Sequence, residues 1–254
     1  MKRILLAALL IPLPVFGATT EALVTAMIEA HGGYEAWSKA PTCRFTETWE
    51  IPGAPAGTPI GVTVEQTSRR AYLEDPGAGS LAVWDGEKAW SVNWQSPMPP
   101  RFVALLNYYF TNLPWLIRDP GVVLGEPGTG SLPDDPASYH TIRMTFEAGT
   151  GDTPDDYYVL YIHPETHELA ACEYIVTYAA LLPEGVTHSP PHLLVYGGHA
   201  AVNGLKVPGK FTIYEEGRLY AACTFEDWSF SEPFDASRMA MPEGAVVDTS
   251  SPTR

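Results

Sequence analysis

Residues 201–230, AVNGLKVPGKFTIYEEGRLYAACTFEDWSF, decide the fold class. Leu205, Val207, Phe211 and Ile213 share one parity and Lys206, Lys210 and Thr212 the other, the period-two pattern of a strand with one buried and one wetted face. Glu215-Glu216-Gly217-Arg218 is placed to close a hairpin, with Gly217 free to take positive φ. On the return strand, 219–230, apolar residues occupy both parities: Leu219, Ala221, Cys223 and Phe225 against Tyr220, Ala222, Trp228 and Phe230. This predicts a strand covered on both faces, and therefore a second surface over the sheet.

Working outward, 193–196 is a further short strand, and 139–147, 157–163 and 169–178 read as three more. The last two join through Pro164-Glu165-Thr166-His167-Glu168 as a hairpin turn. On the other side, Val246-Val247 forms an apolar hook, and 249–254 is expected to be a disordered polar tail. Upstream, 43–51 and 61–73 alternate as strands, and 81–84 and 89–94 flank Asp85-Gly86, a strong hairpin signal that brings Trp84, Trp90 and Trp94 together.

Two stretches read as helix. Ala22, Leu23, Ala26, Met27 and Ala30 lie on one face behind a Thr19 or Thr20 cap, and His31-Gly32-Gly33 ends the run; a second turn, 34–38, follows with Trp37. Between Arg101 and Trp115, the residues Phe102, Leu105, Leu106, Tyr109, Phe110 and Leu113 recur at helical spacing as one wide apolar stripe, which Pro114 is expected to stop or kink. A helix this apolar belongs against the sheet or over an apolar cavity. Twenty-four prolines and twenty-two glycines fit many short strands. There is no internal repeat.

Lys2 and Arg3, the apolar run 4–13 and the small-residue exit 14–17 read as a secretory signal cleaved after Gly17, with Ala18 as the second choice. The run is too short for a membrane span, which needs about 20 residues. The first cysteine is Cys43, so no lipid attachment is expected at the cleavage site. Residues 18–248 are then one domain, exported to the periplasm, with no transmembrane segment after cleavage. Two of the fifteen basic residues and none of the thirty acidic ones fall in the signal, so the mature chain is more acidic still than the whole, at −15. Such a chain repels nucleic acid. Three distant cysteines permit at most one disulfide, with Cys172 and Cys223 the better-placed pair; the alternative is that all three are small buried hydrophobes.

Catalytic constellations are poor: the chain has no nucleophile elbow, no H-E-x-x-H and no phosphate-binding glycine loop. His163/His167 and His188/His192 have H-x₃-H spacing, but in proline-interrupted turns that do not align two imidazoles. Asp134-Asp135 and Asp155-Asp156 read as solvated loop acids. No cofactor, metal or catalytic residue is expected. An enzyme using His31, His163, His192 or His199, or a carboxylate, is the alternative.

Several strings together carry a family resemblance: Arg69-Arg70 at the end of an early strand, Trp84-Asp85-Gly86-Glu87-Lys88-Ala89-Trp90, Asn203-Gly204-Leu205-Lys206-Val207-Pro208, Trp228-Ser229-Phe230 and Met241-Pro242-Glu243-Gly244-Ala245. With the order of elements, the chain resembles the LolA-like superfamily of periplasmic lipoprotein carriers, whose relatives include LolB-like receptors and sensor domains. The strings His31-Gly32-Gly33 with Trp37, and Leu113-Pro114-Trp115-Leu116 before Arg118-Asp119-Pro120-Gly121, set it apart as a separate subgroup. The resemblance implies a mainly β, α+β fold: a strongly curved antiparallel sheet forming an incomplete barrel, with helices covering its concave face and acyl chains held between. It implies a non-enzymatic binder of an acyl chain, lipid or lipoprotein, or a sensor that regulates a protein partner in the cell envelope. It also implies an early-strand arginine bonded to the helical lid; Arg70 matches by position, while Arg69 points to the opposite face, and both stay open. The expected ligand-binding residues are Trp49, Arg70, Trp84, Trp90, Phe102, Leu106, Tyr109 and Trp115.

Overall fold

The computed structural model describes residues 18–133 and 135–253; the expected signal lies outside them. Helices α1 (Thr20–Ala30) and α2 (Tyr34–Ser38) precede five strands, β1 (Thr42–Glu50), β2 (Ile60–Glu65), β3 (Ala71–Asp75), β4 (Ser80–Trp84) and β5 (Ala89–Val92). Helix α3 (Pro100–Leu116) follows, then β6 (Val122–Leu124), β7 (Gly128–Gly130), β8 (Tyr139–Phe146), β9 (Tyr158–Ile162) and β10 (Leu169–Tyr174). The C-terminal third holds β11 (His192–Gly197), β12 (Ala200–Val202), β13 (Leu205–Val207), β14 (Lys210–Glu215), β15 (Arg218–Ser229) and β16 (Val246–Val247). Fourteen strands form one antiparallel sheet in the order β16-β5-β4-β3-β2-β1-β15-β14-β11-β10-β9-β8-β6, with β7 also on β8, and β12–β13 form a separate ribbon. The sheet does not close, so the architecture is the expected incomplete barrel with helices on its inner face.

β14 and β15 are the hairpin foreseen at 215–218. Glu216 and Gly217 take φ of 50° and 73°, the paired positive angles of a tight turn whose twist matches the strands. The two-faced burial expected of β15 is overturned. Leu219 and Tyr220 are about half exposed, and Ala221, Cys223 and Phe225 alone point inward along the first part of the strand. Apolar parity switches near the end because Asp227, at φ 53°, is an extra residue: Arg44 faces Ser229 but Thr46 faces Glu226. This β-bulge returns Trp228 to the inner face, where its ring lies 4.6 Å from that of Phe45.

The hydroxyl of Thr19 accepts the amide of Ala22 at 3.2 Å and caps α1. In α3, Pro114 neither stops nor ends the helix, which runs on to Leu116. Proline lacks the N–H that would bond the carbonyl four residues back, and the hydroxyl of Tyr196 on β11 donates to that carbonyl, Phe110 O, at 2.7 Å. The helix start has no side-chain cap of its own; the Arg101 amide donates instead to Asp248 of the C-terminal segment at 2.8 Å. Residues 249–253, expected to be a disordered tail, dock in the same region: Ala179 N donates to Pro252 O at 2.9 Å, and the Tyr178 and Ser250 hydroxyls meet at 3.0 Å.

Cys172 and Cys223 are free and buried, as is Cys43. They sit on β10 and β15, with β11 and β14 between. Three inter-strand steps separate them by roughly 14 Å, beyond the reach of a disulfide, so the pairing gives way to the buried-hydrophobe reading.

Candidate functional site

Helix α3 packs on β3, β4 and β5, and α1 packs on α3. The inner face beneath that side of the helix carries the buried Ala71, Ala82 and Ala89, with Leu73 and Trp84 beside them. Along β8 and β9 the same face carries Met144, Phe146 and Tyr158. A cleft of about 370 Å³ lies between this part of the sheet and the helix.

One wall of the cleft is the α3 stripe: Phe102, Leu105, Leu106, Tyr109 and Phe110. The opposite wall is Val122 of β6, Phe146 of β8 and Tyr158 of β9, with Tyr178 at one end. The aromatic rings meet in two groups: Tyr158 touches Tyr109 at 5.4 Å and Phe146 at 5.9 Å, and Phe102 meets Tyr178 at 5.1 Å between centroids. The Tyr109 hydroxyl is buried with no hydrogen-bond partner.

The rim is polar. Arg101 pairs with Asp152 at 2.6 Å and its guanidinium lies 3.2 Å from the centre of the Trp84 ring. Asp119, just after α3, pairs with Arg69 at 3.1 Å; burial pushes its carboxyl above the usual range, while Arg69 pulls it back. Asp156 is buried, 8% exposed. Its carboxylate accepts from the Thr177 amide at 2.8 Å and from the Thr177 and Thr153 hydroxyls at 2.7 Å. Burial raises its pKa, and those hydrogen bonds act against the rise.

Of the eight residues expected to line the site, Phe102, Leu106 and Tyr109 do so. Trp84 lies under Arg101 at the rim. Trp49 is placed along β1, donating to Glu47 at 3.3 Å and packing 5.5 Å from Phe211. Trp115 is corrected to a core residue: fully buried, stacked 5.8 Å from Trp37 and donating to Gly33 O at 3.1 Å. Trp90 is corrected to the outer face. It pairs with Val83 across β4–β5, whereas Trp84 has the opposite parity, so the hairpin separates the two indoles that the sequence reading brought together. There it is buried with Tyr72 and Val83 beneath Phe234 and Met239 of the C-terminal segment.

Arg70 is also on that outer side, paired with Glu65 at 2.8 Å and 5.1 Å from the Phe234 ring. The arginine that reaches the helices is Arg69, which sits at φ 59° in the β2–β3 turn. Its guanidinium lies 5.4 Å from the Trp37 ring and 5.1 Å from that of Tyr108, besides pairing with Asp119. Arg69 has the parity of the inward residues Ala71 and Leu73 of β3 and Arg70 that of the outward Tyr72, because the turn after Glu65 restarts the alternation read through 61–73.

Asp156, read from the sequence as a solvated loop acid, is corrected to a buried residue at the cleft. It shares parity with Tyr158, Leu160 and Ile162, the inward residues of β9, so extending the alternation back by one step would have found it. Of the histidines proposed for the alternative enzyme reading, His31 and His199 meet, with ring centroids 6.4 Å apart. His163 Nδ1 accepts the Glu165 and Thr166 amides at 3.2 and 3.1 Å and serves the turn, and His192 pairs with Glu215 at 3.2 Å. His31 is buried against Trp115, and burial lowers its pKa to about 4. Among the described residues no three His, Cys, Asp or Glu side chains gather in a metal-binding group.

No protein-family profile and no curated protein matches the sequence. Solved structures do match in three dimensions. A LolA superfamily protein from Nitrosomonas europaea superposes with a TM-score of 0.54 at 8% identity, over 89% of this chain and 99% of that one. The fold is LolA-like. A DUF1329 family protein from Desulfovibrio piger is similar at TM-score 0.53 and 8% identity, over 87% of this chain and 96% of the other. At such identities the shared feature is the LolA-like fold itself.

Proposed function

We propose that this protein is an exported binder of a single acyl chain, held in the cleft between α3 and the β6, β8 and β9 strands. The observation that carries this reading is the apolar wall on both sides of a 370 Å³ space. Ligand pockets commonly measure roughly 300 to 1,000 Å³, so this space suits one chain better than several. Each methylene taken from water contributes about 0.8 kcal/mol, and an apolar chain is held there without covalent chemistry or a cofactor. The Arg69–Asp119 pair ties the β2–β3 turn to the end of α3, the place for a latch on the covering helix. The N-terminal signal reading supports a periplasmic location, and no helix among the described residues is long and apolar enough to cross a membrane.

The test is native mass spectrometry of the mature protein purified without detergent, followed by titration with an apolar fluorescent probe. A co-purifying lipid, or saturable probe binding that Leu106→Glu abolishes, is the expected result. An empty protein whose probe response is unchanged by Leu106→Glu rules the reading out.

A further inference from the structure

The charges around the cleft say what kind of head its occupant carries. We propose that the bound molecule is an amphiphile with a cationic head, an amine or quaternary ammonium, seated against Asp156; this rests on the reading of the cleft as an acyl-chain site. Three carboxylates line the cleft, Asp119, Asp152 and Asp156, against one guanidinium, Arg101. Arg101 is spent on Asp152 and Trp84, and Asp119 on Arg69. Asp156 alone has no cation: its bonds come from Thr153 and Thr177, and no lysine, arginine or histidine pairs with it among the described residues.

A buried carboxylate without a counter-charge is costly, and a partner that supplies the charge recovers that cost. The neighbouring walls suit the same chemistry. Phe102, Tyr109, Tyr158 and Tyr178 present aromatic rings to the cleft, and ammonium groups are held over such rings by the ring quadrupole. For an amine head, the unpartnered Tyr109 oxygen adds an acceptor for an ammonium N–H. An anionic head would instead meet Asp156 with every nearby guanidinium already engaged.

Three amphiphiles with the same dodecyl tail separate the possibilities: dodecyltrimethylammonium, dodecanoate and dodecyl maltoside, each titrated calorimetrically below its micelle concentration into the full mature chain. The ammonium compound is expected to bind on the order of ten-fold more tightly than the other two, the size of one desolvated charge and aromatic contact. Asp156→Asn removes that preference while keeping the affinity for the maltoside, and Asp155→Asn, at an exposed neighbour, leaves all three unchanged. Equal affinities, or a preference that survives Asp156→Asn, overturn the cationic head and leave the acyl-chain site standing. If none of the three binds the unsubstituted protein, both fall. The ranking in the unsubstituted protein decides the matter even if Asp156→Asn fails to fold.

Discussion

α3 seats one flank on β3–β5 and leaves the other standing off β6, β8 and β9. The seated flank is tied down by a closed set of bonds. Trp37 Nε1 donates to Asn112 at 2.7 Å, Asn112 donates to Tyr108 O at 2.9 Å, Tyr108 donates to Gln66 at 2.6 Å, and Gln66 returns to Trp37 O at 3.2 Å. The open flank has rings in edge contact, Phe146 on Tyr158 and Phe102 on Tyr178, and a tyrosine hydroxyl with no partner. One helix thus serves stability on one side and leaves space on the other.

Breaking the seated flank should have the largest effect. Trp115→Ala removes a fully buried indole from its stack on Trp37 and should lower stability by about 3 to 5 kcal/mol in urea unfolding. Phe102→Ala on the open flank should change stability far less and instead weaken probe binding. If the two variants unfold alike, the division of labour along α3 is wrong.

The next effect is a pH dependence. Glu47 is buried beneath α3, where Asn107 donates to it at 2.6 Å, and burial pushes its pKa from 4.5 up to about 7. For an acid whose folded pKa is raised, the unfolded chain ionises first. The folded state therefore loses stability as pH rises from 4.5 to 7, by an order of magnitude of 3 kcal/mol, and no further above it. Glu47→Gln should abolish that slope in unfolding midpoints taken across the same range. An unchanged slope would show that Glu47 ionises normally.

Filling the close-packed side comes third. Ala82→Leu puts extra methylenes where α3 approaches the sheet and should destabilise by about 1 to 3 kcal/mol, read as a lowered Tm, and it should also shift probe affinity by lifting the helix. The smallest effects separate the two arginines. Arg69→Ala should cost about 1 kcal/mol or less, as half-exposed pairs do, but should raise the rate of probe exchange. Arg70→Ala, on the outer face, should leave exchange unchanged. Equal exchange rates would remove the latch role from Arg69.

Alternation and helical spacing along the chain were enough to specify antiparallel strands, the tight turn at Glu216-Gly217, the α3 stripe and three cleft residues, Phe102, Leu106 and Tyr109, while the curvature of the sheet came only from the family resemblance. These are local properties: a strand repeats every two residues and a helix every 3.6, so faces are written in the order of residues. What needed the tertiary structure is wherever that periodicity is interrupted or a partner is distant. The extra residue at Asp227 moved Trp228 to the inner face, and the β2–β3 turn restarted the alternation so that Arg69 rather than Arg70 faces inward. Parity split Trp84 from Trp90, and the C-terminal segment then buried Trp90 on the outside. Pro114 stayed helical because Tyr196, 82 positions further on in the sequence, takes the carbonyl it leaves free. Asp156 became a buried charge only because Thr177 and the β9 face close around it. Composition and spacing carry local geometry, whereas burial and charge balance arise from which distant residues meet.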